Sequence, residues 1–430
     1  MRIVQLTPGS GGSFYCENCL RDAALVTAMR SLGHDVLMVP MYLPLALEKN
    51  RVVANAPLFF GGLNVYLQQK LAIFRKTPRW IDRFFDSPSL LRRLARKAGM
   101  TSARDLGEST ISMLKGEHGH QTKELQRLIA WLTGRQEAPD IVCLSNILLG
   151  GLAPSIKNSL GVPVVCLLQD EDGFIDGLDG SYSKRAWEMI AERCGDIDAF
   201  IAVSRYYAGV MERRLRLDKE KVHVVYTGIS MEGYGPADRR PEAPTIGYLS
   251  RMCADRGLDT LVEAFIRIKN CDRLKNARLR IAGGERGDDE AFIEKIRGRL
   301  VAAGVIDDAE FLVDFDRDVR RSFLQSLSVL SVPEKKPVAC GLYVLEALAA
   351  GVPVVEPSMG VFPEIIEMTG GGFLYDPGAP DALGAAIERL LLDAESARSL
   401  GLKGRAAVSE KLTVEQTTGE MLRIYEQLLK

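Results

Sequence analysis

The chain has 430 residues, which is long for a single hydrophobic core and favours two domains. Its 55 Lys and Arg residues nearly balance its 56 Asp and Glu residues, so the charge argues against a nucleic-acid-binding protein. The composition, 47% hydrophobic and 26% charged, is typical of a soluble globular protein, and no apolar run approaches the ~18 residues of a membrane helix.

The N-terminus and the cysteines favour a cytoplasmic protein. The first residues, Met-Arg-Ile-Val-Gln-Leu, lead directly into a strand, which argues against a signal peptide. The eight cysteines are scattered, and Cys143 and Cys166 fall in apolar strand patterns. Such cysteines are typical of buried free thiols in a reducing compartment.

The first half of the chain alternates predicted strands and helices, which indicates a parallel sheet with both faces covered. A helix after the first strand is predicted to end near Leu32, where Gly33 follows. The predicted strands are 3–6, 36–40, 140–144, 162–167, 199–204 and 222–226.

Residues 68–135 interrupt this alternation and are predicted to form a helical insertion. Basic residues are frequent in it, and aromatic and leucine residues lie between them: Lys70, Arg75, Lys76, Arg79, Trp80, Arg83, Phe84, Phe85, Leu90, Leu91, Arg92, Arg93, Arg96 and Lys97. One interpretation is a structural insertion with a solvated basic face. The other is a surface for peripheral contact with anionic lipid, or for an acidic acceptor.

A second alternating series follows a Gly- and Pro-rich linker at 233–244. Its predicted strands are 245–249, 278–282, 310–313, 327–332 and 352–355, and a last helix is predicted within 411–430. The sequence therefore predicts an α/β fold with two doubly wound Rossmann-like domains, 1–232 and 245–410, facing across a cleft. Ligands of such sheets bind at the carboxyl ends of the strands.

The segment 337–353 is the most informative part of the second domain. It is predicted to be a glycine-bearing loop, a short helix that contains Glu346, and a buried strand. Free backbone N–H groups near Gly341 and Leu342 would bind an anion, and a carboxylate buried in so apolar a helix needs a partner. Phosphate on the amides and ribose hydroxyls on Glu346 would suit a nucleotide. Val338 stands eight residues before Glu346, where a second carboxylate would face the ligand.

Other motifs near strand ends support a phosphate-bearing ligand, although each has a plainer interpretation. Arg251 and Arg256 follow a strand and suit a diphosphate, or else form surface ion pairs. Gly283 and Gly284 form a turn after a strand, where backbone could approach a ligand. The loop at 8–13, with Gly12 and Ser13, opens a helix and lacks the spacing of a dinucleotide motif.

Two further motifs leave alternatives open. The acidic loop at 169–173, with Gln169 and Asp170, follows a strand and either binds sugar hydroxyls or is simply solvated. Cys16 and Cys19 have the spacing of metal or redox pairs, but no second C-x-x-C accompanies them and the chain has only four histidines. Structural thiols are the plainer interpretation, and the sequence predicts no metal site.

Taken in order, these motifs resemble the family 4 retaining glycosyltransferases, which have the GT-B fold. The resemblance spans nearly the whole chain and is strongest in the second half. It rests on the glycine loop, Gly33-His34, Arg251, Arg256-Gly257, the Ala282-Gly283-Gly284 turn, Gly341 through Ala347, Ala350-Gly351, Pro353-Val354-Val355, Phe362 to Ile366 and Gly371-Gly372.

The resemblance implies transfer of a hexose from a nucleotide-diphosphate sugar, without a metal or other cofactor and with retention at the anomeric carbon. Glu346 would hold the ribose, and Arg251 and Arg256 would neutralise the diphosphate. The remaining donor-binding residues would be Gly12, Ser13, Gly283, Gly284, Gly341, Leu342 and Tyr343. Gln169 and Asp170 would lie on the acceptor side, and the last helix would cross back to the first domain. The base, the sugar, the acceptor (glycan, lipid or small molecule) and the oligomeric state are not readable from the sequence.

Four positions depart from the family pattern. Arg256 stands where a lysine is usual, and Gln169 where a histidine is often found. Val338 replaces the first of two glutamates spaced eight apart, and Cys340 stands where an aromatic residue is common. The leading prediction is a glycosyltransferase. The alternative is a degenerate homologue, weak or inactive in catalysis, that binds a nucleotide or nucleotide sugar.

Overall fold

In the computed structural model, the described residues are 1–9, 15–42, 59–60, 103–134, 138–237, 241–285, 287–312, 316–379 and 381–430. The chain divides into two compact units. The first comprises Met1–Gly11, Asn18–Val225 and Thr418–Lys430, and the second comprises Gly12–Glu17 and Tyr226–Thr417. Parts of two predicted segments lie outside the described residues. These are 238–240 of the linker predicted at 233–244, and 68–102 and 135 of the helical insertion predicted at 68–135.

The first unit is built on a six-stranded parallel sheet with the order β2-β1-β3-β4-β5-β6. The strands are β1 (Arg2–Thr7), β2 (Asp35–Pro40), β3 (Ile141–Leu144), β4 (Val164–Leu168), β5 (Ala199–Ala202) and β6 (Val222–Val224). The helices are α1 (Glu17–Ser31), α2 (Ala103–Leu114), α3 (Thr122–Thr133), α4 (Ala153–Leu160), α5 (Glu171–Asp176), α6 (Gly180–Arg193) and α7 (Arg205–Leu215). The strand order reverses between β1 and β3, which is where a doubly wound sheet binds its ligand.

The second unit is built on another six-stranded parallel sheet, in the order β12-β11-β10-β7-β8-β9. Its strands are β7 (Thr245–Leu249), β8 (Arg278–Ala282), β9 (Ala309–Phe311), β10 (Val329–Leu330), β11 (Val354–Pro357) and β12 (Gly372–Tyr375). Its helices are α8 (Leu258–Ile268), α9 (Glu290–Ala302), α10 (Arg317–Gln325), α11 (Leu342–Ala349), α12 (Phe362–Thr369), α13 (Ala382–Leu392), α14 (Ala394–Lys411) and α15 (Val414–Leu428), the last of which ends in the first unit. Its reversal lies between β7 and β10.

Burial explains why these segments form strands and helices. Every residue of β3, β4 and β7 is buried, as expected for strands covered by helices on both faces. Helix α8 buries residues at spacings of three and four, from Leu258 to Ile268, and so presents one apolar face to its sheet. The fold prediction of two doubly wound Rossmann-like domains is confirmed.

The predicted elements agree with the structure to within a few residues, with one omission. Strands β7 and β8 have the predicted bounds, and the last helix, Val414–Leu428, lies within the predicted range 411–430. The prediction missed β12 altogether. This strand has only four residues and begins inside a run of three glycines, so its sequence carries little strand signal.

Candidate functional site

The carboxyl edge of the second sheet brings together two loops that the sequence shows only as separate motifs. Arg251 lies just beyond β7, and Gly283 and Gly284 lie just beyond the neighbouring β8. The loops are joined by backbone hydrogen bonds: Met252 N–H donates to the Gly284 carbonyl at 2.9 Å. Gly283 has φ +128°, and a Cβ there would lie 2.2 Å from the Ser250 carbonyl oxygen, so the close approach requires glycine.

Helix α11 carries Glu346 in a wholly buried setting. The helix begins after Gly341, whose φ is +69°, and all eight of its residues are buried, with Glu346 4% exposed. Burying a carboxylate costs free energy unless donors satisfy its oxygens. The sequence predicts that a Glu346 carboxylate buried in this helix needs a partner, and three side chains from outside the helix contact it.

Three donors satisfy the Glu346 carboxylate. Tyr15 donates its hydroxyl to Oε2 at 2.6 Å, Tyr234 donates its hydroxyl to Oε1 at 2.5 Å, and Arg320 Nε lies 3.3 Å from Oε1. Burial and the Glu346 charge hold the pKa of Tyr15 well above its usual value, so the hydroxyl keeps its proton and remains a donor. The sequence analysis missed all three partners, because each lies far from Glu346 along the chain.

The predicted anion site at the start of α11 holds an anionic group of the chain itself. The backbone N–H of Leu342 donates to Glu17 Oε2 at 2.6 Å. Tyr343, the next residue, is buried and donates its hydroxyl to Glu334 Oε1 at 3.2 Å. The start of α11 can therefore bind an anionic oxygen, as expected of the first N–H groups of a helix.

Both arginines that the sequence assigns to a diphosphate form ion pairs in the structure. Arg251 binds Asp289 through two contacts, Nε to Oδ2 at 2.7 Å and Nη2 to Oδ1 at 2.8 Å. Arg256 Nη1 lies 2.7 Å from Oε1 of the buried Glu334. The ion-pair interpretation that the sequence left open is thus part of the structure. Both guanidinium side chains remain partly exposed, at 22% and 30%.

Val338 is buried beneath the loop that follows β11. Val361 N–H donates to the Val338 carbonyl at 3.0 Å, and a Cβ on Gly360 would lie 2.7 Å from the Val338 backbone. Two buried acidic residues lie near the ends of the neighbouring strands: Glu334 follows β10, and Glu356 is in β11.

Glu356 is fully buried within β11. Its Oε1 accepts from Val332 N–H at 3.3 Å, and its Oε2 has no hydrogen-bond partner among the residues that the structure describes. Burial, with a smaller effect from the Glu334 charge, holds the pKa of Glu356 well above its usual value. The sequence analysis missed Glu356, although an acidic residue directly after Pro-Val-Val in a buried strand was a visible signal.

In the first unit, Gln169 lies at the carboxyl end of β4 within a buried polar network. Its side-chain amide donates to the Ser145 carbonyl, and Ser145 donates its hydroxyl to Asp22. Asp22 also accepts from Thr7 Oγ1 at 3.2 Å and pairs with Arg21. The network therefore links the ends of β1, β3 and β4, where the strand order reverses.

Glu171 anchors the same edge, and the predicted acidic loop at 169–173 is in part the start of α5. The Glu171 carboxylate accepts from Gln169 N–H at 2.6 Å, Ile147 N–H at 3.2 Å and the Tyr207 hydroxyl at 2.8 Å. Burial raises its pKa to about 7. Asp170 is held in the left-handed region at φ 60°, between two buried residues.

Several predicted features cannot be described. Gly12, Ser13 and the basic residues between Lys70 and Lys97 lie outside the described residues. None of the eight cysteines, all of which are among the described residues, forms a disulfide; Cys16 is half-buried and Cys19 is buried. In the described part of the chain, no three His, Cys, Asp or Glu residues are arranged to hold a metal, and none of the helices there is long and apolar enough to span a bilayer.

These features define an α/β protein with two doubly wound units, whose second unit has an anion-binding helix start, a hydrogen-bonded carboxylate one turn later and arginines at the same sheet edge. Two protein-family models match parts of this chain. Residues 236–407 match the model described as Glycosyl transferases group 1, and residues 110–232 match Glycosyltransferase Family 4.

Similar proteins agree with these matches. The D-inositol 3-phosphate glycosyltransferase of Jonesia denitrificans is 27% identical over 225 residues, which cover 49% of this chain and 52% of the relative. The chain thus spans about half the length of the curated relatives it matches.

Two solved structures resemble the whole chain. Sucrose-phosphate synthase from Thermosynechococcus elongatus has a TM-score of 0.74 at 18% identity, covering 100% of this chain and 99% of its own. Anabaena HepE, in complex with UDP and glucose, has a TM-score of 0.71 at 15% identity, covering 99% of each chain. The fold is GT-B, and residues 110–232 and 236–407 each match a glycosyltransferase family model.

Proposed function

We propose that this protein transfers a hexose from a nucleotide-diphosphate sugar to a hydroxyl acceptor, with retention at the anomeric carbon and without a metal. The observation that carries the proposal is the start of α11. There, the Leu342 N–H binds an anionic oxygen, and Glu346 accepts hydroxyl hydrogen bonds one turn further along. A phosphate and a ribose present the same two groups. The eight described cysteines form no disulfide, which favours the cytoplasm as the site of the reaction.

The proposed chemistry depends on charge that develops on the leaving group. The acceptor hydroxyl oxygen forms a bond to the anomeric carbon while the bond between that carbon and the β-phosphate oxygen breaks. The electron pair of the broken bond leaves with the diphosphate, which also takes up the hydroxyl proton. The amides at Leu342 and Tyr343 and the guanidinium groups of Arg251 and Arg256 would stabilise that charge, which is where such a site gains most of its rate. The ion pairs with Asp289 and Glu334 would hold the two guanidinium groups in place.

On the acceptor side, we assign Gln169 and Asp170 at the carboxyl end of β4. Gln169 cannot act as an acid or base. Its amide oxygen is buried and has no hydrogen-bond partner among the described residues, so it is suited to accept a hydrogen bond from an acceptor hydroxyl.

The test of the donor site is nucleotide binding by matched variants. Glu346→Gln should weaken UDP, GDP or ADP binding about tenfold, because one charged acceptor is lost. Arg251→Ala should weaken diphosphate binding at least as much and monophosphate binding much less. Arg280→Ala is the control, since Arg280 also pairs with a carboxylate in this unit, Glu310 at 2.6 Å. If neither site variant differs from the control, the donor site is elsewhere.

A binding protein without turnover is the second candidate, and the buried Val338 favours it. Incubation with UDP-, GDP- and ADP-sugars separates the two, because an enzyme releases free nucleotide and a binding protein does not. Val338→Glu is the sharper probe: it restores a carboxylate, so a gain in nucleotide release would show that valine limits turnover. Val338→Gln is the matched control, because glutamine is similar in size to glutamate and carries no charge.

A further inference from the structure

The second unit includes Tyr15 and Cys16, which precede helix α1, and Glu17, the first residue of α1. Tyr15 N–H donates to the Gly283 carbonyl at 2.7 Å, and its hydroxyl donates to Glu346 Oε2 at 2.6 Å. Glu17 Oε2 accepts from Leu342 N–H at 2.6 Å. The segment thus contacts two groups that the proposed function assigns to the donor nucleotide, Glu346 and Leu342, and also Gly283, which the family resemblance implies as donor-binding.

The chemistry of each contact matches that of a nucleotide. The Tyr15 hydroxyl donates to Glu346 as a ribose hydroxyl would, and the Glu17 carboxylate accepts from Leu342 as a phosphate oxygen would. Tyr15 is buried, and the Arg320 guanidinium lies 5.7 Å from the centre of its ring while it also contacts Glu346. The segment is therefore seated in the candidate site and does not merely pass over it.

The spacing of the two contacts also matches. Leu342 and Glu346 are four residues apart in a helix, which is about 6 Å along its axis. Tyr15 and Glu17 are two residues apart, and an extended chain advances about 6–7 Å over that distance. The two side chains can therefore occupy the anion site and the hydroxyl site at once.

We propose that Tyr15–Glu17 is an internal competitor that occupies the donor site until a nucleotide displaces it. The inference rests on the proposed function, since it names what controls access to the same site. The single N–H of Leu342 cannot serve both Glu17 and a phosphate oxygen, and a ribose hydroxyl at Glu346 Oε2 would compete with the Tyr15 hydroxyl for the same space. Nucleotide binding therefore requires the segment to leave, and weakening the segment's contacts strengthens nucleotide binding.

The affinity test uses UDP, GDP and ADP with Tyr15→Phe, Glu17→Gln and the double variant. Glu17→Gln removes the competing charge and should tighten diphosphate binding about tenfold, as expected for one charge-assisted hydrogen bond. The double variant should bind at least as tightly. Tyr226→Phe is the control, because it removes a tyrosine–carboxylate hydrogen bond of the same length, 2.6 Å to Glu364, in the same unit.

A second measurement needs no nucleotide. Cys16 lies between the two contact residues and is half-buried, so its labelling by iodoacetamide reports whether the segment is docked. Labelling of Cys16 in the ligand-free protein should accelerate at least fivefold in the double variant, and in the wild type when nucleoside diphosphate is added. Cys271, half-buried in the same unit, should react at an unchanged rate.

The outcomes separate this inference from the proposed function. Nucleotide binding that is unchanged or weakened in Tyr15→Phe/Glu17→Gln overturns the competitor and leaves the donor site standing, with the segment as part of it. Unchanged Cys16 labelling in the ligand-free double variant overturns it as well. If the nucleoside diphosphates bind to no form of the protein, the proposed function fails and the competitor fails with it.

Discussion

The ion pair between Arg320 and Glu346 allows a quantitative prediction about the second unit. Arg320 is 5% exposed and Glu346 4% exposed. Removing the cation therefore leaves a buried carboxylate with two neutral donors among the described residues, Tyr15 and Tyr234. Breaking a buried pair by removing one partner typically costs 3–5 kcal/mol. Because the tyrosine bonds remain, we expect Arg320→Met to lower the free energy of unfolding by about 2–4 kcal/mol.

The double variant and a surface variant make this prediction specific. Arg320→Met/Glu346→Gln should recover at least half of the loss, because no buried charge is left unpaired. Arg317→Met is the control on the same helix: its partner Glu232 is 3.7 Å away and exposed, so the expected cost is below about 1 kcal/mol.

The measurement should report on the second unit alone. The three tryptophans, at 80, 131 and 187, all belong to the first unit, so their fluorescence is unsuitable. Urea titration followed by hydrogen exchange in peptides from α11 and β11 gives the required midpoint. The reasoning is wrong if Arg320→Met costs no more than Arg317→Met, or if the double variant is less stable than Arg320→Met.

Three further predictions concern single features. Gly283→Ala should lower the free energy of unfolding by at least about 2 kcal/mol, because Gly283 has a positive φ and lies against the Ser250 carbonyl. Gly298→Ala, in open space on a helix, should be neutral or stabilising by up to ~1 kcal/mol. Urea midpoints compare the two variants. Burial raises the pKa of Glu171 to about 7, so its neutral form stabilises the first unit at low pH. That stability is fully present below about pH 4.5 and is lost as pH rises through about 7. Tryptophan fluorescence should show this pH dependence in the wild type and not in Glu171→Gln. Finally, the basic segment between Lys70 and Lys97 should bind anionic vesicles at low salt and not neutral ones; equal sedimentation with both would leave it a structural face.

Much of the fold was predictable because its signals are local. Buried parallel strands appear as short apolar runs, and glycine and proline punctuate them, so β7 and β8 were predicted to the residue. The strand β12 was missed because its signal lies in its position against β11, with Val355 opposite Phe373, and not in its own four residues. Neighbours supply the burial that makes such a segment a strand.

The candidate site was predictable only as a list of separate strand-end motifs. Parallel strands end at the same edge of a sheet, and β8 and β10 both pair with β7, so the sequence predicts that the loops carrying Arg251, Gly283 and Gly341 follow neighbouring strands. The partners of those residues were not predictable. The chain after Gly284 brings Asp289 to Arg251, and the turn after β10 brings Glu334 to Arg256. Neither acidic residue has a sequence spacing that marks it as a partner.

What the sequence determined by itself was the α/β class, the two sheets and the cost of burying Glu346. What only the tertiary structure decided was how that cost is met: Tyr15, Arg320 and Tyr234 come from three separate parts of the chain and converge on one carboxylate. The physical reason is that local patterning fixes which side chains are buried, whereas hydrogen-bond partners of a buried charge are chosen by packing between segments distant in the chain.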